Sequence, residues 1–216
     1  MLSQYHRDIC QRALESKFSS RALEIIIKAN IAQDNLHGLV GHHEYHFDDN
    51  AFEAGYAYLE EQRNIILAVL SDGGNIVPAR KAFGRLTHAV QDFYAHCNYL
   101  ELWAQSFAED ELPPPHQVDA LNQTIINHPD LRSGRIYFRE VLAFIPFLRP
   151  FTRRILPADS HANMNIDYPE RGAFFPYAIE AAVKRTLHEF ELLSERILEI
   201  GDHIALKRFT DLSTSV

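Results

Sequence analysis

The sequence predicts an all-α domain, a multi-helix bundle, on three observations. Apolar residues recur at helical spacing over several long stretches. Helix starts and stops punctuate those stretches, with Ser19-Ser20, Ser71-Asp72-Gly73-Gly74 and Pro78 the clearest. No stretch alternates apolar and polar residues with the β-branched enrichment of a strand.

Taken in order, residues Ile9 to about Ala32 place Ile9, Ala13, Leu14, Leu23, Ile26 and Ile27 on apolar faces, with Ser19-Ser20 as a break or cap. From Ala51 to Leu70 the pattern repeats through Phe52, Tyr56, Leu59, Ile66 and Leu70 and stops at the glycine pair. A third helix is expected after Pro78, running past Trp103. Glu109 to Gln117, with its three prolines, reads as a loop. Asp119 to Asn127 and Arg135 to about Phe147 read as shorter helices. An irregular segment punctuated by Pro146, Pro150 and Pro157 separates the second of these from a last long helix, near Pro176 to about Ile204.

Size and composition fit this picture. The 216 residues suit a single domain, set at 1–209 with a loose tail at 210–216. Hydrophobic residues at 46% are enough for a real core. A net charge of −8 argues against a nucleic-acid binder, which needs a basic face, so no stable nucleic-acid binding is expected. Cys10 and Cys97 form no CxxC pair and so offer no thiolate metal site. The N-terminus shows no apolar signal-peptide core and no run is long enough to span a membrane, so a cytoplasmic location is expected, with secretion the alternative where a leader has been removed.

Twelve histidines are the unusual feature. In Thr87-His88-Ala89-Val90-Gln91-Asp92-Phe93-Tyr94-Ala95-His96, positions i, i+4 and i+8 turn only about 80° in total around a helix. His88, Asp92 and His96 therefore share one stripe. Two imidazoles and a carboxylate suit Zn²⁺, which accepts nitrogen and oxygen ligands. The alternative is a solvated polar face, against which stand the apolar neighbours Ala89, Val90, Phe93, Leu100 and Leu102. A second cluster, Asp34 through Asp49, gathers four histidines and several carboxylates in a glycine-broken connection. Within it His37 and His42 read as bystanders. Asn98, Glu101 and Tyr94 on the stripe helix, together with Asp48, Asp49 and Asp167, are candidates to support or join the ligands.

These segments together resemble the zinc-dependent phospholipases C. Tyr5-His6-x-x-Ile9-Cys10-x-x-Ala13-Leu14 is similar to that family's opening, Ala29 to Asp34 followed by His46-Phe47-Asp48 to its next portion, and His88-x-x-x-Asp92 with His96 to its central zinc helix. The wording from Gln91 to Tyr99 and the segment His161-Ala162-Asn163-Met164-Asn165-Ile166-Asp167 look closest to the branch of heterokaryon-incompatibility C proteins. The resemblance implies a helical bundle of the phospholipase C type holding two or three zinc ions. It implies one ion on Asp34, His46, His88 and Asp92, a second on His96 and His161, and a third on His6 with Asp92 bridging and the N-terminal amine and carbonyl. Zinc would then activate a water against a phosphodiester, with Asp34 orienting or deprotonating it.

The expected function is accordingly a zinc-dependent phosphodiester hydrolase acting on a phosphodiester or phospholipid. The alternatives are a metal-binding, non-catalytic signalling or interaction protein of the heterokaryon-incompatibility C type, and a zinc-dependent nuclease. A lipid substrate implies peripheral membrane contact, for which Leu142 to Phe151 is the candidate rim; its other reading is a buried helix end.

Overall fold

A computed structural model describes residues 1–35, 38, 41–108, 111–137, 155–199 and 202–212. Nine α-helices lie among them: α1 (Ser3–Leu14), α2 (Ser20–Ile31), α3 (Phe52–Asp72), α4 (Val77–His96), α5 (Tyr99–Ala104), α6 (Gln123–Ile126), α7 (His161–Met164), α8 (Phe175–Glu199) and α9 (His203–Thr210). Among the described residues there is no strand, only two isolated backbone bridges, so the all-α expectation holds. No described helix is long and apolar enough to cross a membrane.

The central element is α4. It packs against α2, α3 and α8, while α1 lies across α2 and α8. A helix surrounded in this way must bury almost its whole circumference, and every residue from Leu86 to His96 is buried. The α2–α4 contact is close because position 84 is glycine: a Cβ there would stand 2.3 Å from the Ile26 carbonyl oxygen and 2.8 Å from Ala29 Cβ.

The caps follow the sequence signals. The Ser19 hydroxyl accepts the Ala22 N–H at the start of α2 (3.1 Å). Gly73 ends α3 in the left-handed conformation (φ 72°). Phe18, Phe83, Phe190 and Phe209 form one aromatic knot. Arg80 fastens α9 to α4 by donating to the carbonyls of Arg208 (2.7 Å) and Phe209 (3.0 Å). The Thr210 carbonyl accepts the Ser19 N–H (2.9 Å); residues 213–216 lie outside the described residues.

Four elements differ from expectation. The helix expected to run past Trp103 stops at His96, because Cys97 is extended (φ −116°, ψ 166°) and the next backbone groups are claimed from elsewhere. The Asn98 N–H donates to the Arg132 carbonyl (3.0 Å) and the His96 carbonyl accepts the Gly134 N–H (3.0 Å). The helix expected over Asp119–Asn127 is confined to Gln123–Ile126, started by Asn122, whose side chain accepts from Thr124 and Ile125. Arg135–Tyr137 is not helical: Arg135 exchanges backbone bonds with Asp159 and His161, and the remainder of that expected helix lies outside the described residues, as does the Leu142–Phe151 rim. The last long helix ends at Glu199, and α9 follows as a separate element with Asp202 at its cap.

Candidate metal centre

The stripe on α4 faces the interior. His88 Nε2 lies 3.0 Å from Asp92 Oδ2, and one turn further His96 Nε2 lies 3.8 Å from Asp92 Oδ1, so each carboxylate oxygen of Asp92 looks towards one histidine. His6, on the buried face of α1, brings Nε2 to 3.3 Å from Asp92 Oδ1 and its ring stacks on that of His88. Asp34 arrives at the end of a single 3₁₀ turn (Ala32–Asp34), with Oδ1 3.6 Å from His88 Nε2 and Oδ2 3.9 Å from His6 Nε2. One ligand atom from each of His6, Asp34, His88 and Asp92 falls within a sphere in which all pairs lie inside 4.8 Å. His46 stands beside this group rather than in it, its Nδ1 2.9 Å from Asp92 Oδ2 and 3.1 Å from His88 Nε2.

A second group meets on the other side of Asp92. Asp48, His96 and His161 also bring one ligand atom each within 4.8 Å of one another. His161 Nδ1 is 2.7 Å from Asp48 Oδ1, and His96 Nδ1 is 3.3 Å from the same oxygen. The His96 Nδ1 also lies 3.0 Å from the His46 carbonyl, and at the opposite ring nitrogen Asp167 Oδ1 stands 3.1 Å from Nε2, outside the group. The Met1 nitrogen lies between the two groups, 2.7 Å from Asp92 Oδ1 and 3.1 Å from Asp167 Oδ1.

Local backbone explains how these distant residues meet. Phe47, Asp49 and Asn50 all have left-handed φ values (55°, 56° and 57°), which turns Asp48 inward from between its neighbours. A strap, residues 132–135, then stitches three segments together: Gly134 N–H to the His96 carbonyl, Asp49 N–H to the Gly134 carbonyl (2.8 Å), and His161 N–H to the Arg135 carbonyl (2.8 Å). Each of those segments carries one member of the Asp48–His96–His161 group. Gly134 is required by proximity, since a Cβ there would stand 2.4 Å from the His161 Cα.

The electrostatics are those of a crowded, dry site. Burial alone would raise the Asp92 carboxyl, yet the Met1 amino group, His96, His88 and His6 hold it well below the usual range. Burial pushes His88 down to about 4, against the pull of Asp92. His96 goes the other way: burial opposes the charge, but Asp92 and Asp48 outweigh it and raise the imidazole well above its ordinary value. Asp48 and Asp167 are likewise held low despite their burial, Asp48 by His161 and His96, Asp167 by the Met1 amino group and His96. His6 Nε2, His46 Nε2 and His88 Nδ1 are buried with no hydrogen-bond partner.

Of the residues singled out from sequence, His6, Asp34, His46, His88, Asp92, His96, His161, Asp48 and Asp167 are brought together. His6 falls with Asp34 and His88, whereas the resemblance implied a separate ion for it. Asp48 stands among the would-be ligands rather than behind them. Asn98 and Glu101 do not reach the imidazoles: Asn98 spends its amide on the strap, bonding the Asp130 carbonyl (3.0 Å) and the Arg132 N–H (2.8 Å), and Glu101 is on the exposed face of α5. Tyr94 donates to the Ala120 carbonyl instead. His42 is outside the centre, paired with Glu44 and stacked on Tyr45, and His37 lies outside the described residues. The strap and Gln91, which holds His6, had no signal in the sequence beyond the glycine at 134.

Fold and site together define a helical domain organised around a buried His/Asp centre. Its family is given by comparison with known proteins: the VWA7 N-terminal domain family matches residues 4–127, more than half of the chain, and the chain belongs to that family. The von Willebrand factor A domain-containing protein 7 of Rattus norvegicus is 34% identical over 113 residues, covering 50% of this chain and 12% of that protein. The chain thus matches only a small part of its relative. No solved structure matches.

This membership corrects the resemblance to zinc-dependent phospholipases C and heterokaryon-incompatibility C proteins, and with it the expected phosphodiester hydrolase and its alternatives. The physical reason lies in the motifs themselves. A helix that lines a His/Asp centre repeats its ligands at three- or four-residue spacing whatever its ancestry, so His88, Asp92 and His96 report geometry and carry neither descent nor reaction. The role of Asp34 in orienting a hydrolytic water rested on that reaction and goes with it. Its position as a prospective ligand does not.

Proposed function

We propose that this domain binds divalent metal ions at the two adjoining groups, His6–Asp34–His88–Asp92 and Asp48–His96–His161, with zinc the ion best matched to the donors. The observation that carries this is Asp92. Its carboxylate is fully buried, and three imidazole nitrogens, from His6, His46 and His88, approach it at 3.3, 2.9 and 3.0 Å. An ionised carboxylate in a dry interior demands compensating charge. The Met1 amino group, 2.7 Å from Oδ1, supplies one such charge, and a divalent cation among the imidazoles would supply more while engaging His6 Nε2, which is buried with no hydrogen-bond partner.

The donor set favours a particular kind of ion. Nitrogen and carboxylate oxygen without thiolate, three or four to a site, fit Zn²⁺, while Ca²⁺ and Mg²⁺ prefer all-oxygen shells. Asp92 sits between the groups, as a carboxylate serving both ions would. In the first group only Asp34 is appreciably exposed (24%), which makes it a closed, structural type of site. No reaction is assigned to it.

Elemental analysis of the purified chain, followed by Co²⁺ titration of the metal-free protein, tests the proposal. Bound zinc, or the intense visible bands of four-coordinate Co²⁺, is the expected result. His88→Ala with Asp92→Ala should abolish binding at the first group while helical circular dichroism persists. A wild-type chain that carries no metal and takes up none on titration sinks the reading.

A further inference from the structure

We infer that Gln91 is a positioning residue of this centre: it fixes the proton of His6 on Nδ1 and so presents Nε2 as a bare lone pair to the metal. The inference rests on the metal-binding reading and deepens it. Gln91 is fully buried on α4, pointing away from the His88–Asp92–His96 stripe, in a polar cluster with Asn30, Thr87, Thr186, Cys10 and His6, all fully buried. So much buried polarity is costly in a core unless it performs a task.

The hydrogen bonds determine every proton in the chain from Gly84 to His6. The Gly84 carbonyl can only accept, so the Thr87 hydroxyl donates to it (2.9 Å). With its proton used, the Thr87 oxygen accepts from Asn30 at 3.1 Å, which makes that Asn30 atom the amide nitrogen. The same nitrogen lies 3.1 Å from one end of the Gln91 amide, so that end is the oxygen Oε1. Oε1 in turn lies 2.7 Å from His6 Nδ1, which must therefore be the donor. The other end of Gln91 is thereby its NH₂ group, donating to Thr186 Oγ1 (3.1 Å) and to Cys10 Sγ (3.3 Å). The outcome is a proton fixed on Nδ1, which leaves Nε2, the buried, unpartnered atom that faces Asp92 and Asp34, as the nitrogen turned to the metal. A metal-bound histidine needs this arrangement, with its second nitrogen donating to a fixed acceptor.

The test compares wild type, Gln91→Leu and Gln91→Glu as full chains, with Zn²⁺ affinity read by chelator competition and His6 ring nitrogens read by ¹⁵N NMR on the metal-free protein. Gln91→Leu removes the acceptor and should weaken binding roughly 10–100-fold, as loss of an outer hydrogen-bond partner does elsewhere. Gln91→Glu keeps an acceptor for Nδ1 while losing both donations, and should bind at or above wild-type affinity although it is less stable. A role confined to core packing would rank these two by stability instead. If Gln91→Leu does not fold, Thr186→Val frees the same amide and should also weaken binding. A Gln91→Leu chain that binds as tightly as wild type, or a metal-free His6 protonated at Nε2, overturns this role alone. A wild type that binds no metal overturns the site reading and this role together.

Discussion

Arg63 on α3 closes on Glu189 of α8 through two hydrogen bonds, Nε at 3.1 Å and Nη2 at 2.7 Å, with the carboxylate fully buried. Arg185, one turn earlier on α8, takes the other oxygen at 2.8 Å. Both flanks of α4 are thereby held at a fixed distance, because α3 and α8 each pack on it. Glu189→Ala leaves Arg185 without this carboxylate and Arg63 with only Glu60 (3.0 Å), and breaking a buried pair from one side costs about 3–5 kcal/mol. Urea denaturation of the metal-free variant should show a loss of that size. A loss below about 1 kcal/mol, the worth of an exposed ion pair, would refute the clamp.

Gly84 offers a test of the α2–α4 contact. A methyl group there meets the Ile26 carbonyl oxygen and Ala29 Cβ, both closer than side-chain carbons approach one another, and neither belongs to a flexible side-chain end. Overpacking of this kind costs about 1–3 kcal/mol. Gly84→Ala should therefore destabilise the domain despite the higher helix propensity of alanine. Because Asn30 rides on the displaced stretch of α2, the variant should also loosen the Gln91 network. Melting temperature and Zn²⁺ affinity read the two effects separately, and a variant more stable than wild type would show that the helices are free to part.

How much of this could be read from the chain alone depends on the range of the interaction. The helices and the His88–Asp92–His96 stripe were legible because their period is local, and Ser19 and Gly73 marked ends through short-range hydrogen bonding and φ preference. The stop at His96 was not, since it is imposed by Arg132 and Gly134 from a segment more than thirty residues away. Asp48 was legible as an acid that could support or join the ligands, but which of the two was not. Its orientation comes from left-handed backbone at Phe47, Asp49 and Asn50, and Phe is a residue type that seldom adopts it. Family membership was misread for the related reason that ligand spacing on a helix is set by geometry shared across unrelated sites.

Ser19 links a helix cap to an acid-sensitive contact. Its hydroxyl accepts the Ala22 N–H and donates to Asp211 Oδ2 (2.7 Å), and that bond, followed by the one from Arg21, lowers the Asp211 carboxyl below its ordinary value. With a folded value below the unfolded one, the contribution is present in full above about pH 4 and is lost as the pH falls through the folded value. Ser19→Ala should cost about 1 kcal/mol at neutral pH, chiefly through the cap. The difference from wild type should narrow at about pH 3 without vanishing, because the cap itself does not titrate. Urea midpoints at the two pH values measure it; a gap that widens in acid contradicts the assignment.

The two groups around Asp92 predict different responses to substitution. His161 belongs only to the group with Asp48 and His96, is partly exposed (23%), and is placed by the strap rather than by α4. His161→Ala should remove one metal equivalent per chain and leave the first group loaded, whereas Asp92→Asn should impair both, because Oδ1 lies between His6 Nε2 (3.3 Å) of the first group and His96 Nε2 (3.8 Å) of the second. Metal bound at a hundred times its dissociation constant stabilises the folded state by about 2.7 kcal/mol, so chelation of wild type should lower the melting temperature by more than chelation of His161→Ala. Stoichiometry by elemental analysis and melting curves with and without chelator decide this. If His161→Ala retains the full metal complement, the second group is a hydrogen-bonded histidine pair that Asp48 orients, and Asp92 serves one ion only.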